Sequence, residues 1–336
     1  MTASIVDRAG GFHELAARVL AGETLSRDEG LALLDGGPDD LLPLLDAAFA
    51  VRRRHFGRRV QVHILNNAQN GYCPEDCNYC AQAKSSDATI EKYALKSDEE
   101  ILAEAEQACE AGAYRYCMVL SGRGPSRARI DHMVGLVREI KARYPIQVCL
   151  SAGFIDEAMA GALKEAGLDR YNHNLNTSAR RYGDICTTHG YGDRLATLEA
   201  ARGAGLEVCS GLIIGMGESH DDIWEVATTL KRLEARSIPV NFYVHVPGSR
   251  LGAVDRLTPE HCLRVLCLFR FLNPDVDIRA AGGREVNLRA LEPLCLYPAN
   301  SLFAEGYLNT GGHATSRTVQ LIQDVGFEVE RIEEHG

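Results

Sequence analysis

The sequence predicts an α/β fold: a (β/α)8 barrel of the TIM type with an N-terminal helical extension. Three observations carry that expectation. From about residue 60, short β-rich runs alternate with helical segments, an order that produces parallel strands. Eight such runs stand in order, at Val60–Leu65, Arg115–Leu120, Gln147–Leu150, Arg170–Asn174, Glu207–Ile214, Val240–Val246, Asp277–Ala281 and Ser301–Phe303. The chain has 336 residues, 46% of them hydrophobic and 24% charged, which is enough for one large core. A doubly wound α/β sheet is the runner-up.

Residues about 11–57 read as helical and separate. Leu15, Val19 and Leu20 share one face, and a second segment follows Leu25-Ser-Arg-Asp with Leu31, Leu33, Leu34 and then Leu41–Val51. The basic run Arg52, Arg53, Arg54, Arg58 and Arg59 reads as a solvated helix end, where cations suit the macrodipole. Within the barrel, Ser97-Asp-Glu-Glu100 is a capping box opening a helix that stops near Gly112. Asp156 opens another, ending near Gly167. Thr258-Pro259 sets an N-cap before a proline at the first helical position. The division expected is a helical extension over 1–57, a barrel over 58–320 and a tail over 321–336.

The net charge of −10 argues against a nucleic-acid partner. No run approaches the ~20 apolar residues of a membrane span. The N-terminus lacks an apolar signal core, and eleven cysteines without one read as thiolates in a reducing cytoplasm.

Three cysteines, Cys73, Cys77 and Cys80, lie in the run CPEDCNYC with no fourth nearby in the sequence. Thiolates this close converge on a soft metal centre. Three ligands on a four-iron cluster leave one iron open for a substrate or cofactor, so catalysis is the better reading. A zinc site is the rival, and a structural one wants four ligands. The loop follows the first strand, which in a barrel is the mouth where active sites are built.

Cys117, Cys149 and Cys209 fall in three different strands and Arg279 in a fourth. Suitable registers bring all four inward at comparable depth. Buried strand cysteines alone read as core, but an inward guanidinium needs an anionic or acceptor partner, which points to a second centre. The run Gly211-Leu-Ile-Ile-Gly215-Met-Gly217-Glu218 at a strand exit permits close backbone approach to a ligand, although packing explains it as well. Tyr171-Asn-His-Asn-Leu-Asn-Thr-Ser178 suits a neutral polar ligand or a turn, with His173 read as a structural hydrogen bonder.

From about residue 50 onward the chain resembles the biotin synthase family of radical S-adenosylmethionine (SAM) enzymes. The stretches that carry the resemblance are CPEDCNYC, YRYCMV, DRYNHNLNTS, EVCSG, IPVNF, IRAAGGRE and YPANSLF. It implies a (β/α)8 barrel in which Cys73, Cys77 and Cys80 hold a 4Fe-4S cluster. Cys117, Cys149, Cys209 and Arg279 would hold a 2Fe-2S cluster deeper in the barrel. The SAM pocket would be shaped by Gly211, Ile213, Gly215 and Glu218, with Tyr79 and Val244 beside the adenine, Asn174 and Asn176 at the ribose and Arg194 at the carboxylate. Asn172, Asn174 and Asn241 would surround the ureido ring of dethiobiotin, and Asn309 and Thr310 its carboxylate. Position 176 is asparagine where many relatives carry aspartate, so altered SAM contact rather than lost function is expected. Ser121-Gly-Arg-Gly124 varies among relatives and receives no role.

The implied reaction inserts sulfur between two unactivated carbons of dethiobiotin, which requires radical chemistry borne by the cofactors rather than a side-chain acid or base. SAM cleavage would supply the radical and the second cluster the sulfur. The resemblance further implies a cytoplasmic homodimer and a reducing electron donor of flavodoxin or ferredoxin type. The alternative is a related radical SAM enzyme, of the hydrogenase-maturation or methylornithine kind, acting on another small substrate.

Overall fold

The computed structural model describes residues 9–254 and 257–332. Three helices come first: α1 (Ala9–Leu20), α2 (Arg27–Asp35) and α3 (Leu41–Phe56). Ser26 caps α2 reciprocally: its hydroxyl accepts from Glu29 N, while the Glu29 carboxylate accepts from Ser26 N at 2.8 Å. Gly30 is required where it stands, because a Cβ there would come within 2.1 Å of the Trp224 ring. The apolar faces of these helices join the barrel's own core through Phe12, Leu33, Leu44 and Val51, all buried.

The strands are β1 (Arg59–Gln69), β2 (Arg115–Leu120), β3 (Gln147–Ser151), β4 (Arg170–Asn172), β5 (Glu207–Cys209), β6 (Leu212–Ile214), β7 (Ser237–Phe242), β8 (Asp277–Ala280), β9 (Ser301–Ala304) and β10 (Glu328–Val329). Pairing runs β1-β2-β3-β4-β5-β7-β8-β9, and β9 returns to β1. With β5 and β6 counted as one stave, and β10 as an addition outside β1, this is a closed barrel of eight parallel staves. The helices opened by Ser97, Asp156 and Thr258 form with the expected caps, at Asp98–Glu110, Glu157–Glu165 and Pro259–Leu272. The helix Thr315–Asp324 runs across position 320, and β10 carries the chain back beside β1. Residues 1–8 and 333–336, where the extension and the tail were expected to begin and end, lie outside the described residues. Among the described residues no helix is long and apolar enough to cross a membrane.

Three expectations need correction. The fifth run is two strands, because the chain breaks at Ser210-Gly211, where a Cβ on Gly211 would stand 1.9 Å from the Pro239 carbonyl oxygen. The sixth begins earlier, at Ser237, and ends at Phe242. Arg52 is not part of a solvated helix end: it is fully buried. It donates from Nε to Ala299 O at 2.9 Å and from Nη2 to Arg59 O at 2.6 Å, and its guanidinium lies 4.8 Å from the Phe327 ring centre. Burial brings its pKa down to about 9. Arg53, Arg54, Arg58 and Arg59 are exposed as expected.

Candidate active site

The loop after β1 is pinned before it delivers its thiols. Asn70 and Tyr93 exchange backbone hydrogen bonds, Gly71 N donates to Gln82 Oε1 at 2.9 Å, and Asn78 N donates to Ile185 O at 2.9 Å. Cys73, Cys77 and Cys80 then line one cavity of about 150 Å³. Backbone N–H groups of Glu75 and Gly122 point at the Cys73 sulfur, and those of Gln82 and Ala83 at the Cys80 sulfur. Such donors favour thiolate over thiol, against burial that pushes the free Cys80 thiol up to about 11. A metal centre would remove that conflict by taking the proton's place.

The fold supplies a fourth thiol that the sequence reading missed. Cys186 Sγ lies 3.7 Å from Cys77 Sγ although the two are 109 positions apart. Around it stand Asp76 Oδ1 at 3.2 Å, Thr188 Oγ1 at 3.4 Å and His189 Nδ1 at 3.3 Å. His189 Nδ1 in turn meets Glu75 Oε2 at 2.5 Å. In this thiol–thiol pair the hydrogen bond from Cys77 holds Cys186 down, to about 6, and Cys77 well up. The signal available in the sequence was the run Cys186-Thr-Thr-His189, whose spacing places two soft ligands on one turn.

A larger cavity of about 300 Å³ occupies the barrel mouth, and Tyr79, Cys80, Gln82, His173 and Arg194 line both spaces. Cys117, Cys149, Cys209 and Arg279 all face the larger one. Cys117 and Cys149 are register partners across β2 and β3, and Cys209 pairs with Asn172 on β4. The two neighbouring thiols shift each other: Cys117 pushes Cys149 up to about 12, and Cys149 draws Cys117 down. Burial raises Cys209 well above the ordinary thiol range.

Beneath the thiols lies a polar layer that the sequence did not disclose. Asp277 accepts from Arg170 Nη1 at 2.9 Å, Arg279 Nη2 at 3.0 Å and Ser237 Oγ at 2.9 Å, and also from the Ser301 hydroxyl. Burial disfavours the Asp277 carboxylate, but Arg279 and Arg170 outweigh it and hold its pKa well below the usual range. Arg279 Nε, Arg115 Nε and Nη1, and both ring nitrogens of His63 are buried without partners. A floor with three guanidiniums and spare donors is short of acceptors, and an anionic sulfide–thiolate group is the chemistry it fits.

The upper wall holds the polar residues named from the sequence. Asn172, Asn174, Asn176, Asn241, Asn309 and Thr310 line the cavity together with Tyr79, Ile213, Val244 and Arg194. Asn172 Nδ2 donates to Cys209 Sγ at 3.2 Å, which joins this wall to the thiol floor. Asn176 sits at φ 69°, a left-handed conformation asparagine tolerates, and donates to Tyr79 Oη at 2.6 Å. Arg194 donates to Asn174 O at 2.7 Å, to the Tyr182 hydroxyl and, at 3.0 Å, to His189 Nε2. Gly211, Gly215 and Glu218 do not line either cavity. They act behind Ile213: the Glu218 carboxylate accepts from Gly215 N at 2.6 Å and Met216 N at 2.8 Å, closing the turn after β6. His173 is buried with Nε2 unpartnered, so it is not the hydrogen bonder expected; it packs edge-on to Phe154 at 5.1 Å, and burial pushes its pKa well down.

Known proteins resemble this chain in sequence and in fold. Residues 70–230 match the Radical SAM superfamily model and residues 239–328 the Biotin and Thiamin Synthesis associated domain. The biotin synthase of Magnetococcus marinus is 67% identical over 95% of this chain and 100% of its own length. That of Acaryochloris marina is 54% identical over 91% of this chain and 89% of its own. Among solved structures, methylornithine synthase superposes with a TM-score of 0.82 at 20% identity, covering 94% of this chain and 97% of its own. The hydrogenase maturase HydG from Carboxydothermus hydrogenoformans superposes with a TM-score of 0.80 at 17% identity, covering 97% and 80%. These two likenesses concern the fold; the sequence identities and the paired domain matches establish that the chain belongs to the biotin synthase family of radical SAM enzymes.

Proposed function

We propose that this chain is a radical SAM sulfurtransferase that converts dethiobiotin into biotin, with the second thiol group as the seat of the sulfur donor. The observation that carries the reading is the single cavity whose floor is Cys117, Cys149, Cys209 and Arg279 and whose wall carries Asn172, Asn174, Asn241, Asn309 and Thr310. Family membership supports a 4Fe-4S cluster with SAM. Cys73, Cys77 and Cys80 are the residues suited to hold the cluster. Cys117, Cys149, Cys209 and Arg279 are suited to hold a 2Fe-2S cluster. When bound, these groups supply one-electron chemistry strong enough to take hydrogen from unactivated C–H bonds, and a sulfide to place between the carbons.

The chain's own residues bind, orient and enclose. Arg194, shared by both cavities, offers the charge for a SAM carboxylate. Asn174 and Asn176 offer amides to the ribose, Tyr79, Ile213 and Val244 flank the adenine, and Gly211, Gly215 and Glu218 shape the wall behind Ile213. The neutral Asn172, Asn174 and Asn241 amides match a ureido ring, which donates and accepts without net charge. Asn309 and Thr310 receive the carboxylate. Holding the substrate above the thiol floor orients it for reaction and keeps water out. No side chain needs to move a proton.

The same reading divides the chain into a helical extension (1–57), the catalytic barrel (58–320) and a tail (321–336). It also carries a cytoplasmic homodimer served by a flavodoxin- or ferredoxin-type donor; the family resemblance is the support for these. The test is anaerobic turnover of reconstituted protein with dethiobiotin, SAM and a strong reductant. Biotin together with 5′-deoxyadenosine is the expected result. 5′-Deoxyadenosine without biotin, in protein loaded at both thiol groups, contradicts the substrate assignment.

A further inference from the structure

The buried side chain of Asn70 ties the loop after β1 to the loop after β9. Its Nδ2 donates to Asn309 Oδ1 at 3.0 Å, and Asn309 Nδ2 donates back to Asn70 Oδ1 at 3.2 Å. The two amides, 239 positions apart, form a closed pair.

The pair has one favourable orientation. Asn70 Nδ2 also donates to Glu91 O at 2.6 Å, and a carbonyl oxygen can only accept. Both Asn70 Nδ2 hydrogens are then placed, one on Glu91 and one on Asn309. Asn309 must answer with Oδ1 toward that hydrogen and Nδ2 toward the Asn70 oxygen. Turned over, it would set nitrogen against nitrogen and oxygen against oxygen. Asn70 is itself held in place. It exchanges backbone hydrogen bonds with Tyr93 at 3.2 and 3.0 Å, and the Tyr93 hydroxyl donates to Asn67 O at 2.7 Å.

This decides what Asn309 brings to the cavity it lines. One Nδ2 hydrogen is spent on Asn70, and the other remains to be given. Next to it, Tyr307 and Thr310 exchange backbone hydrogen bonds at 2.9 and 3.0 Å, with Leu308 at φ 54° in the turn between them. The Thr310 N–H is spent there, while its hydroxyl can still turn to donate. Two donors on a fixed turn suit an anionic acceptor, and their fixed placement lowers the entropy cost of binding it.

We propose that Asn70 is a specificity-determining residue that acts through Asn309: it fixes that amide so that an N–H is left for the tail of the ligand, and thereby favours a carboxylate there. The proposal rests on the reading of Asn309 and Thr310 as the seat of the dethiobiotin carboxylate. It also makes the loop that carries Cys73, Cys77 and Cys80 part of substrate recognition.

The test is equilibrium dialysis with full-length protein reconstituted at both centres, with SAM and without reductant, so that nothing turns over. The ligands are dethiobiotin and its analogue with a methyl group in place of the carboxylate. Wild type is compared with Asn70→Ala, Asn309→Ala and the double variant. Asn70→Ala is expected to weaken dethiobiotin binding about tenfold, the scale of a hydrogen bond to a charged group. It is expected to leave the methyl analogue unchanged and to add nothing in the Asn309→Ala background. Unchanged dethiobiotin affinity, an equal loss for both ligands, or a full further loss on top of Asn309→Ala overturns the proposal. Should Asn70→Ala fail to load iron, Asn70→Ser decides by the same comparison, since its side chain is too short to span Glu91 O and Asn309. Wild-type protein that binds both ligands equally overturns the carboxylate reading and the proposal with it. That failure shows in wild type alone, whereas a failure of the Asn70 role shows only in the variants.

Discussion

Cys117 on β2 and Cys149 on β3 stand opposite each other in register, and with Cys209 they line one cavity. Three cysteines from three distant stretches of chain thus meet as a contiguous row at the bottom of one cavity. Cys149 is its middle member. Replacing Cys149 with alanine is expected to leave SAM cleavage measurable and to reduce biotin formation at least a hundredfold, about 3 kcal/mol of lost function. Product analysis of 5′-deoxyadenosine and biotin from the same reaction checks this; biotin at the wild-type rate sinks the role given to the row.

The loop thiols should behave differently. Any one of Cys73→Ala, Cys77→Ala or Cys80→Ala is expected to abolish both products, because cleavage precedes transfer. Iron analysis should show the deeper centre still loaded, and retained 5′-deoxyadenosine formation would contradict the assignment.

Arg279 shares Asp277 with Arg170, so its loss does not strip the layer beneath the thiols. Arg279→Ala is expected to retain some activity, with biotin formation down about ten- to hundredfold, the scale of a hydrogen bond to a charged group. SAM cleavage should be near normal. Total loss of biotin with both centres loaded is the opposing result.

Asp277 is the member the layer cannot lose. It is the carboxylate that pairs both Arg170 and Arg279. Asp277→Ala leaves the buried Arg279 guanidinium without its carboxylate and Arg170 with only the half-exposed Glu207, and is expected to cost about 3–5 kcal/mol of stability. A shift in the chemical denaturation midpoint measures it, and a midpoint near wild type would show that the pairs contribute little.

Two buried imidazoles and one half-buried one set an acid limit. Burial holds His63 and His173 well below 6.5 and brings His261 to about 4. Below pH 6.5 the unfolded chain takes up these protons while the folded chain does not, so stability falls as the pH falls. For His261 the loss is complete near pH 4, and each such group contributes about 1.4 kcal/mol per pH unit inside its window. Denaturation of the metal-free protein at pH 7 and pH 5 is expected to show the decline, reduced in His261→Gln; an identical slope in that variant would exclude His261 from it.

The barrel was legible because its signals are local. Arg115–Leu120 is a compact apolar run between a glycine turn and a capped helix, and β2 has those same limits. The Ser97 capping box and the Thr258-Pro259 start needed only neighbouring residues. What eluded the sequence was long-range. Gly211 interrupts the fifth stave because Pro239, far along the chain, crowds it. Arg52 was read as solvated because nothing nearby shows that Ala299 O and Phe327 await it. Cys186 and His189 form only a two-ligand run, which says nothing of Cys77 until the fold lays Cys186 on it. Many of the residues that line the cavity stand in motifs visible in the sequence, whereas the layer of Asp277, Arg170 and Arg115 does not, since alternating charges in short strands look like exposed faces.

The most direct measurement of the central claim is a single turnover with the sulfides of the deeper centre labelled with a heavy sulfur isotope during reconstitution, in the presence of unlabelled sulfide in solution. The account predicts biotin carrying the heavy isotope in amounts no greater than the loaded deeper centre. Unlabelled biotin would contradict it, since the sulfur would then come from a source other than the group held by Cys117, Cys149, Cys209 and Arg279.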